Sequence, residues 1–242
     1  MTHILNQVAR NFHSQFRPSN PDEYFALRLA SLLGEPEAAP HYAMLASQYS
    51  LPKLLCAYRR AVTTAQKGQR PAQVFHNYLS ANGARGGNGV PHPRLMAVRI
   101  ERRAVAVAVF SGLHLEGRRV LQLSSDSTRA EESSSSFIRE VLSENDCPSA
   151  AVESISGDVR RAILYAAILK QCRTKGISVW EISGRIVLET LAHPPLKSRN
   201  ELRDLMLQMW PVQGLKQSQM CALDAFALGL YIQTERLFAA DH

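Results

Sequence analysis

The sequence predicts an α/β fold: a mixed or parallel sheet flanked by helices, with a small helical domain ahead of it. Three observations point there. Residues 94–242 alternate Val-rich runs with amphipathic stretches, the pattern of strands separated by helical crossovers. Residues 1–80 carry helical signals. Between the two, ANGARGGNGVPHP (81–93) holds four glycines and two prolines, which break helix and strand alike. It reads as a linker between domains. No GK[ST] follows its glycines, so it is not a Walker phosphate loop.

The elements follow in order. PDEYFALRLASLLG opens on a proline and two acids and stops at Gly34, as helix termini favour. HYAMLASQY and KLLCAYRRAVTTAQK, separated by SLP, read as a helix-turn-helix or a plain helical hairpin. The second helix would present Lys53, Arg59 and Arg60 outward. Beyond the linker, RLMAVRIERRAVAVAVF (94–110) reads as one long or bulged strand, with a third strand possible inside it, and EGRRVLQLSS (116–125) as another. SDSTRAEESSSS reads as a solvated serine-rich loop and FIREVLSEND as a helix. SAAVESIS (149–156) and ISVWEIS (177–183) are strands on either side of a helix closed by Gly176. GRIVLETLAH is a helix stopped by Pro194 and Pro195, and Ser198 and Glu201 form a capping box for LRDLMLQMW. A last helix carries QMCALDAFALGLY (219–231).

Composition sets outer limits. The chain has 242 residues, 45% hydrophobic and 20% charged, enough for one large domain or two small ones. Cys56, Cys147, Cys172 and Cys221 are scattered with no CxxC pair, which argues against a zinc site or a disulfide framework and fits a reducing cytoplasm. The longest apolar run, AVAVAVF, is too short to cross a bilayer, and the first residues lack a signal peptide's apolar core, so no membrane partner is expected. Net charge is +7, with +6 of it in residues 1–94. That imbalance points toward a polyanionic partner, or toward ordinary solubility charge.

Three acids stand in unusual places. Glu101 interrupts the first strand region, Glu153 ends a strand, and Asp224 lies beside the apolar face of the last helix. Strands disfavour Glu, and a core-facing Asp is costly unless paired. Asp224 is then either a boundary residue or part of a metal site. Carboxylates from two strands and a packed helix can converge on divalent ions, which activate water for phosphodiester hydrolysis.

Four pieces, in order, resemble the RuvC-type branch of the RNase H-like nucleases, which includes bacterial Holliday-junction resolvases. AVRIE (97–101) resembles that family's first strand, which ends in a catalytic acid. AAVES (150–154) resembles its fourth strand, ending in a catalytic Glu. KGISVWEIS, GRIVLETL and KSRNELRDLM resemble its fifth strand and next two helices, and LDAFALGLY its last catalytic helix. The resemblance runs over residues 94–238 and implies an RNase H-like mixed sheet flanked by helices. It implies Glu101, Glu153 and Asp224 as catalytic residues and metal ligands, with Mg²⁺ or Mn²⁺ as the cofactor if the protein is catalytic. It implies nucleic acid as partner, branched DNA rather than RNA, in DNA recombination or repair, and a homodimer or larger assembly. Lys53, Arg59, Arg60, Arg102 and Arg103 are the nucleic-acid-binding candidates, and for Arg102 and Arg103 pairing with acids is an equal alternative. The chain departs from the family in two places. Its first acid is Glu101 rather than Asp, followed by two arginines, and Cys221 stands where a second acid or a His is usual. A thiol is a poor ligand for a hard cation. Two functions therefore stand open: a metal-dependent endonuclease, and a catalytically degenerate domain that binds nucleic acid or serves as a scaffold. Of the remaining polar and aromatic positions, His92 and His193 read as loop histidines, Asp158 as a helix N-terminal acid, and Trp180 and Trp210 as core. Glu181 either faces solvent or supports the site.

Overall fold

The computed structural model describes residues 16–65, 68–82, 94–155, 157–212 and 215–239. The Gly/Pro-rich stretch 83–93, His92 included, lies outside them. The chain divides into two compact units. One comprises Met1–Pro91, Thr190–Leu196 and Thr234–His242; the other comprises His92–Glu189 and Lys197–Gln233.

The first unit is helical: α1 (Pro21–Leu32), α2 (Ala39–Gln48), α3 (Leu51–Ala65) and α4 (Pro71–Asn82). Asn20 caps α1, its side-chain oxygen accepting from the Glu23 backbone N–H at 2.9 Å. Helix α1 packs on α2, and α3 packs on α4. Phe25 stacks on Phe238 at 4.9 Å, and Tyr58 meets the same ring edge-on. Helix α4 was not read from the sequence. Its signal was present: Pro71 at the first position and buried Ala72, Phe75 and Leu79 at helical spacing. Lys53, expected to point outward, is instead buried, with its ammonium 4.9 Å from the Tyr49 ring centre.

The second unit holds a five-stranded sheet in the order β3-β2-β1-β4-β5. Its strands are β1 (Leu95–Ile100), β2 (Ala104–Ser111), β3 (His114–Gln122), β4 (Ser149–Glu153) and β5 (Ser178–Ile182). Strands β1 to β3 form an antiparallel meander, while β1, β4 and β5 run parallel. Of the two readings of 94–110, one long or bulged strand or a stretch holding a further strand, the second holds: the segment is a hairpin. Its turn is Glu101, Arg102 and Arg103, closed by the Glu101 N–H on the Ala104 carbonyl at 2.8 Å.

Helices α5 (Ser127–Asn145) and α6 (Val159–Thr174) cover one face of the sheet. The stretch expected to be a solvated serine-rich loop is the first half of α5. Asp126 caps it, and Ala130, Ser134, Phe137, Ile138 and Val141 form a buried stripe. The serine composition hid this stripe. Ser134 satisfies its buried hydroxyl by donating to the Ala130 carbonyl at 2.7 Å.

Strand alternation sorts the two faces. Met96, Val98 and Ile100 of β1 join Val105, Val107 and Val109 of β2 in the core beneath α5 and α6. Ala97 and Arg99, with their partners Ala108 and Ala106, point to the other face. There α9 (Cys221–Ala239) comes close: a Cβ placed on Gly229 would lie 2.3 Å from the Phe110 ring and 3.1 Å from Ala97. The alternation in AVAVAVF thus has a cause: valine fills one side and alanine makes room for a helix on the other. Short α7 (Gly184–Thr190) and α8 (Arg199–Met209) complete the element order. Trp210 packs edge-on against Phe110 and Phe226, whereas Trp180, expected in the core, is 44% exposed.

Candidate functional site

Glu101, Glu153 and Asp224 come together at the end of the sheet where the parallel strands β1 and β4 terminate. Parity decides this for two of them. Arg99 lies on the α9 side of β1, and Glu101, two residues on, follows it out of the strand. Glu153 is two residues from Ala151, whose partner Ala97 lies on that same side. Asp224 enters from the first turn of α9, where the helix dipole favours a carboxylate.

What fills the space between the acids is a set of guanidinium groups. Arg99 forms ion pairs with Glu153 and, through Nε at 3.4 Å, with Asp224. Arg199 donates from Nη2 to Glu153 Oε1 at 2.5 Å and reaches Asp224 Oδ2 at 3.4 Å. Arg203 holds Asp224 with two bonds, Nε to Oδ1 at 3.0 Å and Nη2 to Oδ2 at 2.8 Å. Its Nη2 also reaches Glu101 Oε1 at 3.0 Å. Arg199 and Arg203 are four residues apart on α8, so one helix face delivers both. Ser198 fixes the start of that helix by accepting from the Glu201 N–H at 3.2 Å.

Burial grades across the cluster. The side chains of Asp224 and Arg99 are 1% and 5% exposed, whereas those of Glu101 and Arg199 are 38% and 37% exposed. The Asp224 hydrogen bond holds the Arg203 guanidinium above its ordinary pKa, against the opposing effect of burial. Burial, followed by the charges of Glu101 and Asp224, pushes the Cys221 thiol up to about 12, so it stays neutral at neutral pH. Gly184 lies against the same cluster. A Cβ there would sit 2.5 Å from Glu153 Oε1 and 3.0 Å from Arg199 Nη2.

A divalent cation does not fit this arrangement. Three carboxylates are ion-paired with three guanidiniums, so those formal charges cancel before any metal enters, and the nearby Arg161 guanidinium adds a further positive charge. Both oxygens of Asp224 and both of Glu153 already accept from arginines. Mg²⁺ demands oxygens at about 2.0–2.1 Å in an octahedron, and Cys221 presents a neutral thiol where a further oxygen would be needed. Placing a dication among three fixed cations would cost Coulomb energy at every pair. Among the described residues, no group of three His, Cys, Asp or Glu is disposed to hold a metal ion. As it stands, the cluster is an ionic clamp that ties β1, β4, α8 and α9 together.

The other residues singled out in the sequence lie elsewhere. Arg102 is exposed and pairs with Asp158 at 2.6 Å, and Asp158 in turn caps α6 by accepting from the Arg161 N–H at 3.1 Å. Arg103 is exposed on the same turn. On α3, Arg59 is half-buried and Arg60 exposed. Glu181 accepts from the Tyr165 hydroxyl, and the backbone of His193 bridges to that of Phe16. Sequence reasoning found the acids and missed Arg99, Arg199 and Arg203. A signal existed for Arg99, the one charged residue in an otherwise apolar strand with both faces covered.

No protein-family profile and no curated protein matches this chain. Solved structures do. The structure of RuvC from Thermus thermophilus matches with a TM-score of 0.50 at 15% identity, over 60% of this chain and 95% of that one. RuvC from the same organism in complex with a Holliday junction substrate matches with a TM-score of 0.48 at 14% identity, over 61% and 95%. The yeast mitochondrial Holliday junction resolvase Ydc2 matches with a TM-score of 0.42 at 10% identity, over 78% and 97%. The first of these likenesses shows a shared fold: the chain carries a RuvC-like, RNase H-like sheet with a helical N-terminal region. No helix among the described residues is long and apolar enough to cross a membrane.

Proposed function

We propose that this chain is a nucleic-acid-binding protein in which a RuvC-like fold is kept and metal-dependent hydrolysis has been given up. The support for the loss of hydrolysis is the arginine set. Arg99, Arg199 and Arg203 neutralise Glu101, Glu153 and Asp224 in place of Mg²⁺ or Mn²⁺. The support for nucleic acid is charge: +7 overall, concentrated in the helical region, on a chain with an ordinary share of acids elsewhere. Branched DNA is the substrate to test first.

The experiment pairs binding with cleavage. The protein is mixed with four-way, flap and linear DNA in EDTA, Mg²⁺ or Mn²⁺. Binding of similar strength in all three conditions, falling steeply with salt, and no cleavage in any, is the expected result. Cleavage that needs Mn²⁺ and disappears in Asp224→Asn would overturn it. A second reading has its own observation. Arg199 and Arg203 are 37% and 18% exposed, so phosphates of a bound substrate could draw them off the acids and free a metal site. Under that reading Mn²⁺ binds the protein–DNA complex and not the protein alone, which titration of Mn²⁺ against each distinguishes.

A further inference from the structure

The helical unit carries a polar groove outside the acidic cluster. It lies between α3 and α4, has a volume of ≈ 550 Å³, and is lined by Arg60, Thr64, Gln69, Val74, Asn77 and Tyr78, among others. A second hollow of ≈ 350 Å³ shares Gln69, Val74 and Asn77 with it and adds Arg70 and Gln73. The two adjoin along these shared residues and together make up one cleft.

Helical spacing builds it. On α3, Cys56, Arg60 and Thr64 recur every four residues and form one stripe. On α4, Val74, Asn77, Tyr78 and Ala81 form the facing stripe. The Cys56 thiol and the Tyr78 hydroxyl meet at 3.2 Å and tie α3 to α4. Val74 supplies an apolar floor, and the walls are guanidinium, amide and phenol.

The charge of the region is one-sided. No Asp or Glu occurs anywhere between Glu37 and Glu101, while within the helical unit Lys53, Arg59, Arg60, Lys67, Arg70 and Arg85 all do. Arg60 and Arg70 are exposed in the cleft, and none of its lining residues is acidic. An anion entering therefore meets cations with no competing carboxylate, the reverse of the acidic cluster, where every carboxylate is matched by an arginine.

We infer that this cleft binds a single-stranded segment of nucleic acid, with Arg60 and Arg70 on the phosphates and Gln73, Asn77 and Tyr78 on a base. The inference rests on the nucleic-acid-binding reading above and gives it a site. Each hollow falls in the size range of small-ligand pockets, about 300–1,000 Å³, which matches a nucleotide or two. Amide side chains present a donor and an acceptor together, which suits the exposed edge of an unpaired base. A tyrosine ring offers the stacking surface on which single strands rely.

The test is fluorescence anisotropy with a labelled single strand and with the same sequence as a duplex, at several salt concentrations. Arg60→Gln with Arg70→Gln should weaken single-strand binding roughly tenfold at low salt and reduce the salt slope by about 0.7 for each lost phosphate contact. Gln73→Ala with Asn77→Ala should leave the slope unchanged and erase any preference for single strand over duplex. Arg118→Gln with Arg129→Gln removes the same charge from exposed positions outside the cleft and should have little effect. Helix content by circular dichroism shows that each variant is folded. If the wild-type protein binds no nucleic acid at low salt, the proposed function itself fails. If it binds and the cleft variants bind equally well, or the control pair costs as much, or duplex binding is lost in parallel with single strand, the cleft inference alone is overturned.

Discussion

A buried arginine among acids behaves differently from a metal among acids, and Asp224 is where the difference can be measured. In a metal site, Asp→Asn removes a ligand and leaves the fold of the apoprotein largely undisturbed. Here Asp224→Asn removes the charge of a carboxylate that is itself 1% exposed, beside Arg99 at 5%, and leaves Arg99, Arg199 and Arg203 sharing fewer negative partners. Breaking a buried pair from one side costs about 3–5 kcal/mol. For a chain of this size that lowers the thermal midpoint by roughly 10 °C. Combining Asp224→Asn with Arg203→Met should restore part of the loss, a coupling that a double-mutant cycle reads directly. The wild-type midpoint should be the same in EDTA and in Mn²⁺. Arg99→Met with Arg203→Met removes two of the three arginines ion-paired to the acids, and Mn²⁺ should then raise the midpoint. A wild-type midpoint that climbs with Mn²⁺ would show that a metal fits beside the arginines after all. The asymmetry in what could be read from the sequence has the same origin. A Glu at a strand end and an Asp beside an apolar helix face are conspicuous because they violate propensity and burial preferences. Arg199 and Arg203 violate nothing, since arginines four apart on a polar helix face look like ordinary solvated charge. Only the tertiary partner makes them part of a site.

At the scale of elements, α9 reaches the sheet because it lacks a side chain where it crosses. Replacing Gly229 with Ala would gain helix propensity, about 0.8–1.0 kcal/mol. The added Cβ would lie 2.3 Å from one ring carbon of Phe110 and 2.6 Å from another. Phe110 is fully buried and wedged against Trp210, so its ring has no free space to turn into. Overpacking of this kind costs about 1–3 kcal/mol, which exceeds the propensity gain. Gly229→Ala should therefore shift the urea midpoint downward, with the slope of the transition unchanged. A neutral or stabilising outcome would mean that α9 can lift off the sheet without penalty. Elements of this unit were legible where one periodicity dominated, as in the strand ending at Glu153, the helix closed by Gly176, and the last helix. They were misread where composition spoke louder than spacing. The serines of α5 suggested a loop, although Ala130, Ser134, Phe137, Ile138 and Val141 kept helical spacing throughout. Over 94–110 the sequence leaves a bulged strand and a pair of strands both open, because a hairpin needs only the three residues Glu101, Arg102 and Arg103 to reverse direction.

At the scale of the molecule, three thiols lie buried in one unit and bear on its stability together. Burial raises Cys147 and Cys172 from the ordinary 9.0 to about 11, and Cys221 to about 12. The unfolded chain has no such burial and releases those protons near the ordinary value. Well below the ordinary thiol value, about 8.5, both states hold all three protons, and the thiols add no pH dependence. As pH rises beyond that, the unfolded state binds fewer protons than the folded one, so unfolding becomes more favourable with each step toward pH 11 and 12. Tyr42 and Tyr165, raised by burial and by their bonds to Glu35 and Glu181, act in the same direction at still higher pH. The thermal midpoint should accordingly hold steady through neutral pH and fall once the solution passes the ordinary thiol value. A variant with Cys147, Cys172 and Cys221 all replaced by Ala starts from a lower midpoint because of the cavities, but its alkaline decline should be shallower, since the tyrosines alone remain. The difference between the two curves isolates the thiols. Parallel declines would show that the buried sulfurs keep enough contact with water to titrate in the folded protein. They would also place water beside Asp224, since Cys221 shares the first turn of α9 with it.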